Sequence, residues 1–352
     1  MTKEKILIAM SGGVDSSVAA LLLKNQGYDC IGATMKLFSD AHPLPCTPKS
    51  ETDDARRVAE RLGIPFEILD LSEDFRRHVI DYFIRTYLDG RTPNPCVECN
   101  RTMKFGKLLD AARELGCRRI ATGHYARVTQ DANGRWLIRA AKDAGKDQTY
   151  VLWSLTQHQL SHTLFPLGEY TKAEIREIAQ ENGFCNADRR DSQDICFIPD
   201  GDYVSFIAGV TGETFPCGNF VDLDGNILGR HNGMIRYTIG QRKGLGLAFG
   251  KPTYVCAKSA TDNTVTLGDN AALFKRELTA HAVNLIATNA FTAPTRVEAK
   301  VRYNAKAAPA WVEQTDADTI RLCFDEPQRA ICPGQSVVLY DGDCLVGGGI
   351  ID

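Results

Sequence analysis

An α/β domain followed by two β-domains is the fold class this sequence predicts. In residues 1–204, apolar runs of strand length alternate with amphipathic stretches of helix length across short joints, the pattern of a parallel sheet with covering helices. Past about residue 205 short apolar stretches alternate with polar residues between frequent glycines; Val297-x-Ala299-x-Val301-x-Tyr303 and Ile320-x-Leu322-x-Phe324 show period two. At 352 residues the chain is also too long for one ordinary core. The expected partition is 1–204, 205–275 and 276–352, the second a central β-domain and the third a C-terminal β-barrel.

The first strand is the apolar run Ile6 to Ala9, and a helix through Val18 to Leu23 ends near the cap candidate Gly27. Cys30–Met35 reads as a second strand, residues 39 to 52 as a loop, Asp53–Leu62 as a helix and Pro65–Leu71 as a third strand. A helix from about Glu73 to Leu88 leads to the polar stretch Gly90–Asn100. There Pro93 and Pro95 are expected to exclude a regular helix. A helix over Phe105–Leu115 and a fourth strand over Arg119–Thr122 follow. Asn133-Gly134 marks a hairpin, the capping box Thr171-x-x-Glu174 opens a helix to about Asn182, and Asp341-Gly342 marks a late hairpin turn.

Hydrophobic content of 43% and charged content of 24% are those of a soluble globular protein. No apolar run reaches the roughly 20 residues of a membrane span, and the N-terminus enters a strand without a signal-peptide core, so a cytoplasmic location is expected. Twelve cysteines over this length do not form a disulfide scaffold. The net charge of −3 gives no global attraction to nucleic acid, but Arg230, Arg236, Arg242, Lys243, Lys251 and Lys258 lie in a stretch, 225 to 261, without Asp or Glu. These six are expected to meet phosphates.

Between the first strand and its helix stands Met10-Ser11-Gly12-Gly13-Val14-Asp15-Ser16-Ser17. Two glycines let the backbone approach a ligand, and the first N–H groups of the helix lack internal partners, so the turn offers donors to an anion. A Walker-type loop would need a Lys before its last Ser or Thr, yet none occurs between Lys5 and Lys24. The string Ser-Gly-Gly-x-Asp-Ser-Ser instead resembles the PP-loop of the ATP pyrophosphatases, which split ATP to AMP and pyrophosphate. Asp15 reads equally as a magnesium contact or as a plain helix-terminal residue.

Cys96 and Cys99 form a C-x-x-C pair, open to readings as half a zinc or iron–sulfur site, a redox dithiol or a coincidence of spacing. No second ligand pair supports a metal: His158 and His162 have suitable spacing but read as polar positions of a helix. Arg101 and Lys104, near in sequence, favour a thiolate at Cys99, with Glu98 opposed.

Asn94-Pro95-x-x-x-Cys99-Asn100, Ser192-Gln193-Asp194-Ile195-Cys196-Phe197, Tyr237-Thr238-Ile239-Gly240-Gln241-Arg242-Lys243-Gly244-Leu245-Gly246 and Gly347-Gly348-Gly349-Ile350-Ile351 together resemble the bacterial tRNA-specific 2-thiouridylases, in order and over nearly the whole chain. The resemblance implies a PP-loop domain of the adenine nucleotide alpha hydrolase-like kind, then the two β-domains, and ATP-dependent replacement of the wobble uridine 2-oxygen by sulfur. ATP would lie on Ala9, Met10, Ser11, Gly12, Gly13, Val14, Asp15 and Ser16, with Met35 and Gly123 on the adenosine side. Mg²⁺ is expected as a helper, and no permanently bound cofactor or metal.

By the same resemblance, Cys196 would carry a persulfide and Cys99 would be the second catalytic thiol, the two closing a disulfide in turnover. Asn94, Pro95 and Cys96 would adjoin the target base, although some relatives carry Asp at the position of Cys96. Lys146, Asp147, Gln148, Arg302 and Tyr303 would touch the tRNA. The implied partners are tRNAs for Lys, Glu and Gln and a sulfur donor such as a cysteine desulfurase or relay protein, with no membrane. Two other classes share parts of the pattern: an amide-forming PP-loop ligase, for which no glutaminase domain is seen, and a non-enzymatic sulfur-relay or RNA-binding protein, which would not need the loop.

Overall fold

The structure, a computed structural model, describes residues 3–38, 49–187, 189, 195–248 and 250–352. The expected loop at 39 to 48 and the motif residues Ser192, Gln193 and Asp194 therefore lie outside the described residues.

Strands β1 (Lys5–Ala9), β2 (Asp29–Lys36), β3 (Phe66–Asp70), β4 (Arg119–Ala121) and β7 (Thr163–Leu164) form a parallel sheet in the order β3-β2-β1-β4-β7. Ile6, Leu7 and Ile8 are fully buried, as a central parallel strand covered on both faces requires. The chain crosses from β1 to β2 on one side and β4 lies on the other, so a crevice opens at the carboxyl end of β1, where sheets of this kind bind ligands. Helix α1 (Val14–Asn25) starts in that crevice and ends before Gly27, whose φ of +90° suits the residue after a helix. Helix α2 (Lys49–Leu62) begins four residues earlier than the sequence suggests.

The expectation for Gly90–Asn100 is corrected. Pro95–Cys99 is helical because Pro95 occupies the first helical position, where a missing N–H costs nothing, and Asn94 caps it through Oδ1, which accepts from the Val97 N–H at 3.4 Å. The helix runs on as a π-helix over Asn100–Lys107 and returns to α over Leu108–Glu114, so it begins well before Phe105. A second π segment, Arg76–Ile80, interrupts the preceding helix.

The change of texture near residue 205 is also corrected, because Tyr203–Thr211 is a helix. Asp202 caps it on the Ser205 N–H and Gly212 ends it at φ +70°. The second sheet, β10-β11-β8-β9, is built from β8 (Gly218–Val221), β9 (Ile227–His231), β10 (Tyr254–Ser259) and β11 (Thr264–Gly268). It is not wholly antiparallel: β11 runs parallel to β8.

The last six strands are β12 (Phe274–Leu285), β13 (Thr295–Lys300), β14 (Ala308–Gln314), β15 (Ile320–Arg329), β16 (Ser336–Asp341) and β17 (Cys344–Ile351). They pair in the order β12-β15-β14-β13-β16-β17, and β12 meets β17 to close a barrel. The hairpin of β5 (Arg127–Gln130) and β6 (Trp136–Arg139), which interrupts the first domain in sequence, extends this last sheet: Leu345 pairs with Ile138, and Asp343 binds Arg127 at 3.0 Å and Arg139 at 2.6 Å. No described helix is long and apolar enough to cross a membrane.

Candidate active site

Ala9, Met35 and Gly123 lie at the carboxyl edge of the parallel sheet, as expected, with the Met10–Ser16 turn between them. The Met10 N–H donates to Ala33 O at 2.8 Å and Thr34 Oγ1 donates to Met10 O at 2.6 Å, fixing the turn to β2. Gly12 has φ +77°, and a Cβ there would lie 2.2 Å from the Glu51 carbonyl oxygen; no other residue fits. Ser16 Oγ and Ser17 Oγ donate to Gly13 O, each at 3.0 Å, while the Gly13 cap offers no side chain to the helix. The first N–H groups of α1 thus keep their donors for an anion. Gly123 packs so closely that a Cβ would come within 2.9 Å of the Ser16 nitrogen.

Three residues that the sequence reading missed complete this end. Lys172 is buried and its ammonium reaches both Asp15 oxygens at 2.8 Å, while the Tyr125 hydroxyl donates to Asp15 Oδ1 at 2.7 Å. Asp15 is therefore an ion-pair partner rather than a cap. Asn186 Nδ2 donates to Gly12 O at 2.8 Å and to Ser17 Oγ at 2.9 Å. Lys172 carries one visible signal, its place directly after the cap residue Thr171, inside the capping box; its partner is 157 residues away.

Cys96, Cys99 and Cys196 are thiols that bear on one another. Cys96 and Cys196 reach the surface, yet protein packed around them is dense enough to desolvate both thiols. Burial pushes the Cys99 thiol up to about 11 and Cys196, with its neighbours Cys99 and Cys96 adding to burial, up to about 12. The expected thiolate at Cys99 is thus corrected: desolvation outweighs local charge, and Arg101 is bound to Glu98 by bonds of 3.1 and 2.6 Å. Phe197 anchors Cys196 from behind, edge-on to Phe75 and Phe83. Asn100, fully buried, donates to Val151 O at 2.9 Å, tying the thiol helix to the segment after Gln148.

His124 follows Gly123 in the chain. Burial, with Lys104 adding to it, drives its imidazole well below the ordinary range, so it is neutral at pH 7, and Nδ1 shares a 2.7 Å bond with Thr122 Oγ1. Lys104 also bears on Cys96, Cys99 and Cys196. One lysine thus lies within electrostatic range of His124, beside the nucleotide turn, and of the three thiols.

The stretches expected at the tRNA meet as well. Tyr303, from the barrel, donates its hydroxyl to Asp147 O at 3.4 Å and lies close enough to Cys96 to feel its charge. The Asp147 carboxylate accepts from Ala141 N at 3.0 Å and Thr149 Oγ1 at 2.5 Å, and Gln148 Oε1 accepts from Tyr125 N at 2.9 Å, so these two side chains shape the turn. Arg302 is exposed and donates to Arg329 O at 3.2 Å. Gln335 Nε2 donates to Thr92 O and Pro93 O at 3.0 and 2.9 Å, clamping the barrel onto the segment before Asn94; nothing local in the sequence signals this.

Of the six basic residues, Arg230, Arg236, Arg242, Lys243 and Lys251 are exposed. Arg242 and Lys251 line an open cleft of about 320 Å³ with Leu245, Leu247 and Thr253. Lys258 departs from the expectation: its ammonium is buried without a hydrogen-bond partner among the described residues, and burial lowers it to about 8.

A switch-point crevice with an open helix terminus, in a parallel-sheet domain followed by two β-domains, defines a nucleotide-binding α/β protein. The family described as tRNA methyl transferase HUP domain matches residues 4–200, the tRNA methyl transferase PRC-barrel domain matches 205–269, and the aminomethyltransferase beta-barrel domain matches 275–351. The chain is 52% identical over 354 residues to the tRNA-specific 2-thiouridylase MnmA of Clostridioides difficile strain 630, covering 99% of this chain and 98% of that one. It is 50% identical over 358 residues to the protein of the same name from Acetivibrio thermocellus, covering both chains fully. The chain belongs to the tRNA-specific 2-thiouridylase family.

Proposed function

We propose that this chain is an ATP-dependent tRNA-uridine 2-sulfurtransferase acting on the wobble uridine. The observation that carries the reading is the glycine turn with the open start of α1 at the sheet's switch point, in a chain of this family whose three thiols lie within electrostatic range of Lys104. A uridine 2-carbonyl is a poor electrophile because its leaving group would be oxide, and adenylation turns that oxygen into AMP. The N–H groups of the Met10–Ser16 turn stabilise the phosphates as pyrophosphate departs, and Lys172 neutralises Asp15 so that its carboxylate does not repel them. Mg²⁺ would enter with the substrate phosphates and neutralise pyrophosphate charge there; Asp15, whose two oxygens both hold the Lys172 ammonium at 2.8 Å, does not fit as its protein ligand.

Cys196 carries the sulfur as a persulfide. The Cys99 thiolate attacks the Cys196 sulfur, the terminal sulfur leaves as hydrosulfide and adds to C2, and AMP departs. A Cys99–Cys196 disulfide remains, and a thiol reductant returns it to two thiols with two electrons. Asn94, Pro95 and Cys96 adjoin the base, while Lys146 to Gln148, Arg302, Tyr303 and the exposed basic residues of the central domain hold the tRNA, with an affinity that falls with salt.

The working units are 1–204, 205–275 and 276–352, the substrates tRNAs for Lys, Glu and Gln, the sulfur donor a cysteine desulfurase or relay protein, and the compartment the cytoplasm. Nucleoside analysis of tRNA from cells lacking the chain tests the reading: 2-thiouridine derivatives should vanish from these tRNAs. Their persistence at normal levels would refute it.

A further inference from the structure

The helix that bears Cys96 and Cys99 carries three cations on its next turns, Arg101, Lys104 and Lys107. Two are neutralised locally, Arg101 by Glu98 at 2.6 Å and Lys107 by Asp74 at 2.9 Å. Lys104 makes no hydrogen bond or ion pair among the described residues and is half-buried. Its placement follows from the π-helix. In an α-helix residue 104 would lie far around the axis from residue 99, whereas the i→i+5 repeat over Asn100–Lys107 returns it to the face of Cys99 one turn on. A π segment costs backbone regularity, and here it brings Lys104, without an ion-pair partner among the described residues, round to the side of Cys99.

We propose that Lys104 is a positioning residue for the sulfur chemistry, its ammonium being the charge against which Cys99 and Cys196 lose their protons to solvent. The groups facing these thiols among the described residues are Cys96, Glu98, Lys104 and, beside Cys96, Tyr303; His124 faces Lys104 and is neutral. Glu98 opposes a thiolate at Cys99 and is itself bound to Arg101, so among the described residues Lys104 is the charged side chain that favours it, joined at Cys196 by a backbone hydrogen bond. Burial holds both thiols protonated at neutral pH, which keeps them unreactive until substrate brings a further change, and Lys104 sets how far that barrier is lowered.

The proposal gives the sulfur-transfer reading its electrostatics and rests on it, but its test needs neither ATP nor tRNA, so the two can fail separately. Iodoacetamide alkylation of the full chain is followed by peptide mass spectrometry from pH 7 to pH 10, with the exposed thiols Cys217 and Cys323 of the β-domains as references. Lys104→Met should move the Cys99 and Cys196 profiles up by about one pH unit, slowing alkylation at pH 8 about tenfold, and leave the references in place. Lys104→Arg should restore the parent profile. Should the Met variant not fold, Lys104→Gln, neutral and of similar length, carries the same test. A parent-like profile in a folded neutral variant would overturn the proposal, as would an Arg variant that behaves like Met.

Discussion

The nucleotide turn and the thiol site are built in opposite ways. The turn is local: one strand, two glycines and a helix start, within Lys5 to Asn25, hold its shape, and distant residues only brace it. The thiol site is assembled from the Pro95–Cys99 helix, the Cys196 segment, the turn at Asp147 and Tyr303 of the barrel. The difference follows from the ligands. Phosphates present the same tetrahedral charge to every such enzyme and can be met by a fixed backbone, whereas a base in a tRNA must be met by surfaces from several domains.

If the two regions divide the chemistry as described, the largest effects come from the thiols. Cys196→Ser and Cys99→Ser should each abolish 2-thiouridine formation while tRNA-dependent pyrophosphate release continues, since adenylation needs neither sulfur. Cys96→Ser should retain appreciable thiolation, because it holds no transferred sulfur. A thiolation and pyrophosphate assay on the three variants decides this. An inactive Cys96→Ser that has lost a bound metal, beside an active Cys196→Ser, would make Cys96–Cys99 a metal site instead.

Lys172→Met breaks the turn's electrostatics without touching its backbone. Pyrophosphate release and thiolation should fall together, by about a hundredfold, because Asp15 is left as an unpaired carboxylate that repels the phosphates at the α1 terminus. The smallest effect is expected at Asn186. Asn186→Ala removes the donors to Gly12 O and Ser17 Oγ, leaving buried acceptors unpaired, and should cost about 1–3 kcal/mol in denaturant unfolding with a raised KM for ATP.

The same contrast explains what the sequence made legible. The parallel sheet, α1, the turn and the capping box at Thr171 rest on short-range signals, and they stand where periodicity and capping put them. The helix at Pro95 was misread because two prolines suggest irregularity, although the second sits at the one helical position that accepts it. The π register that brings Lys104 round to the side of Cys99 leaves no mark in a pattern of apolar residues. Lys172, Asn186 and Gln335 act on partners far away in the chain, and a single sequence carries no term for such pairs. Lys258 looked like its basic neighbours; only packing distinguishes its buried ammonium from their exposed ones.

One reaction tests the central claim that this chain couples ATP cleavage at the loop to sulfur transfer at the thiols. Purified protein is incubated with unmodified tRNA for Glu, ATP, Mg²⁺, a reductant and a persulfide donor, and AMP, ADP and 2-thiouridine are counted together. AMP and 2-thiouridine should appear one for one, with no ADP. Formation of ADP and phosphate, or of 2-thiouridine without ATP consumption, would contradict it.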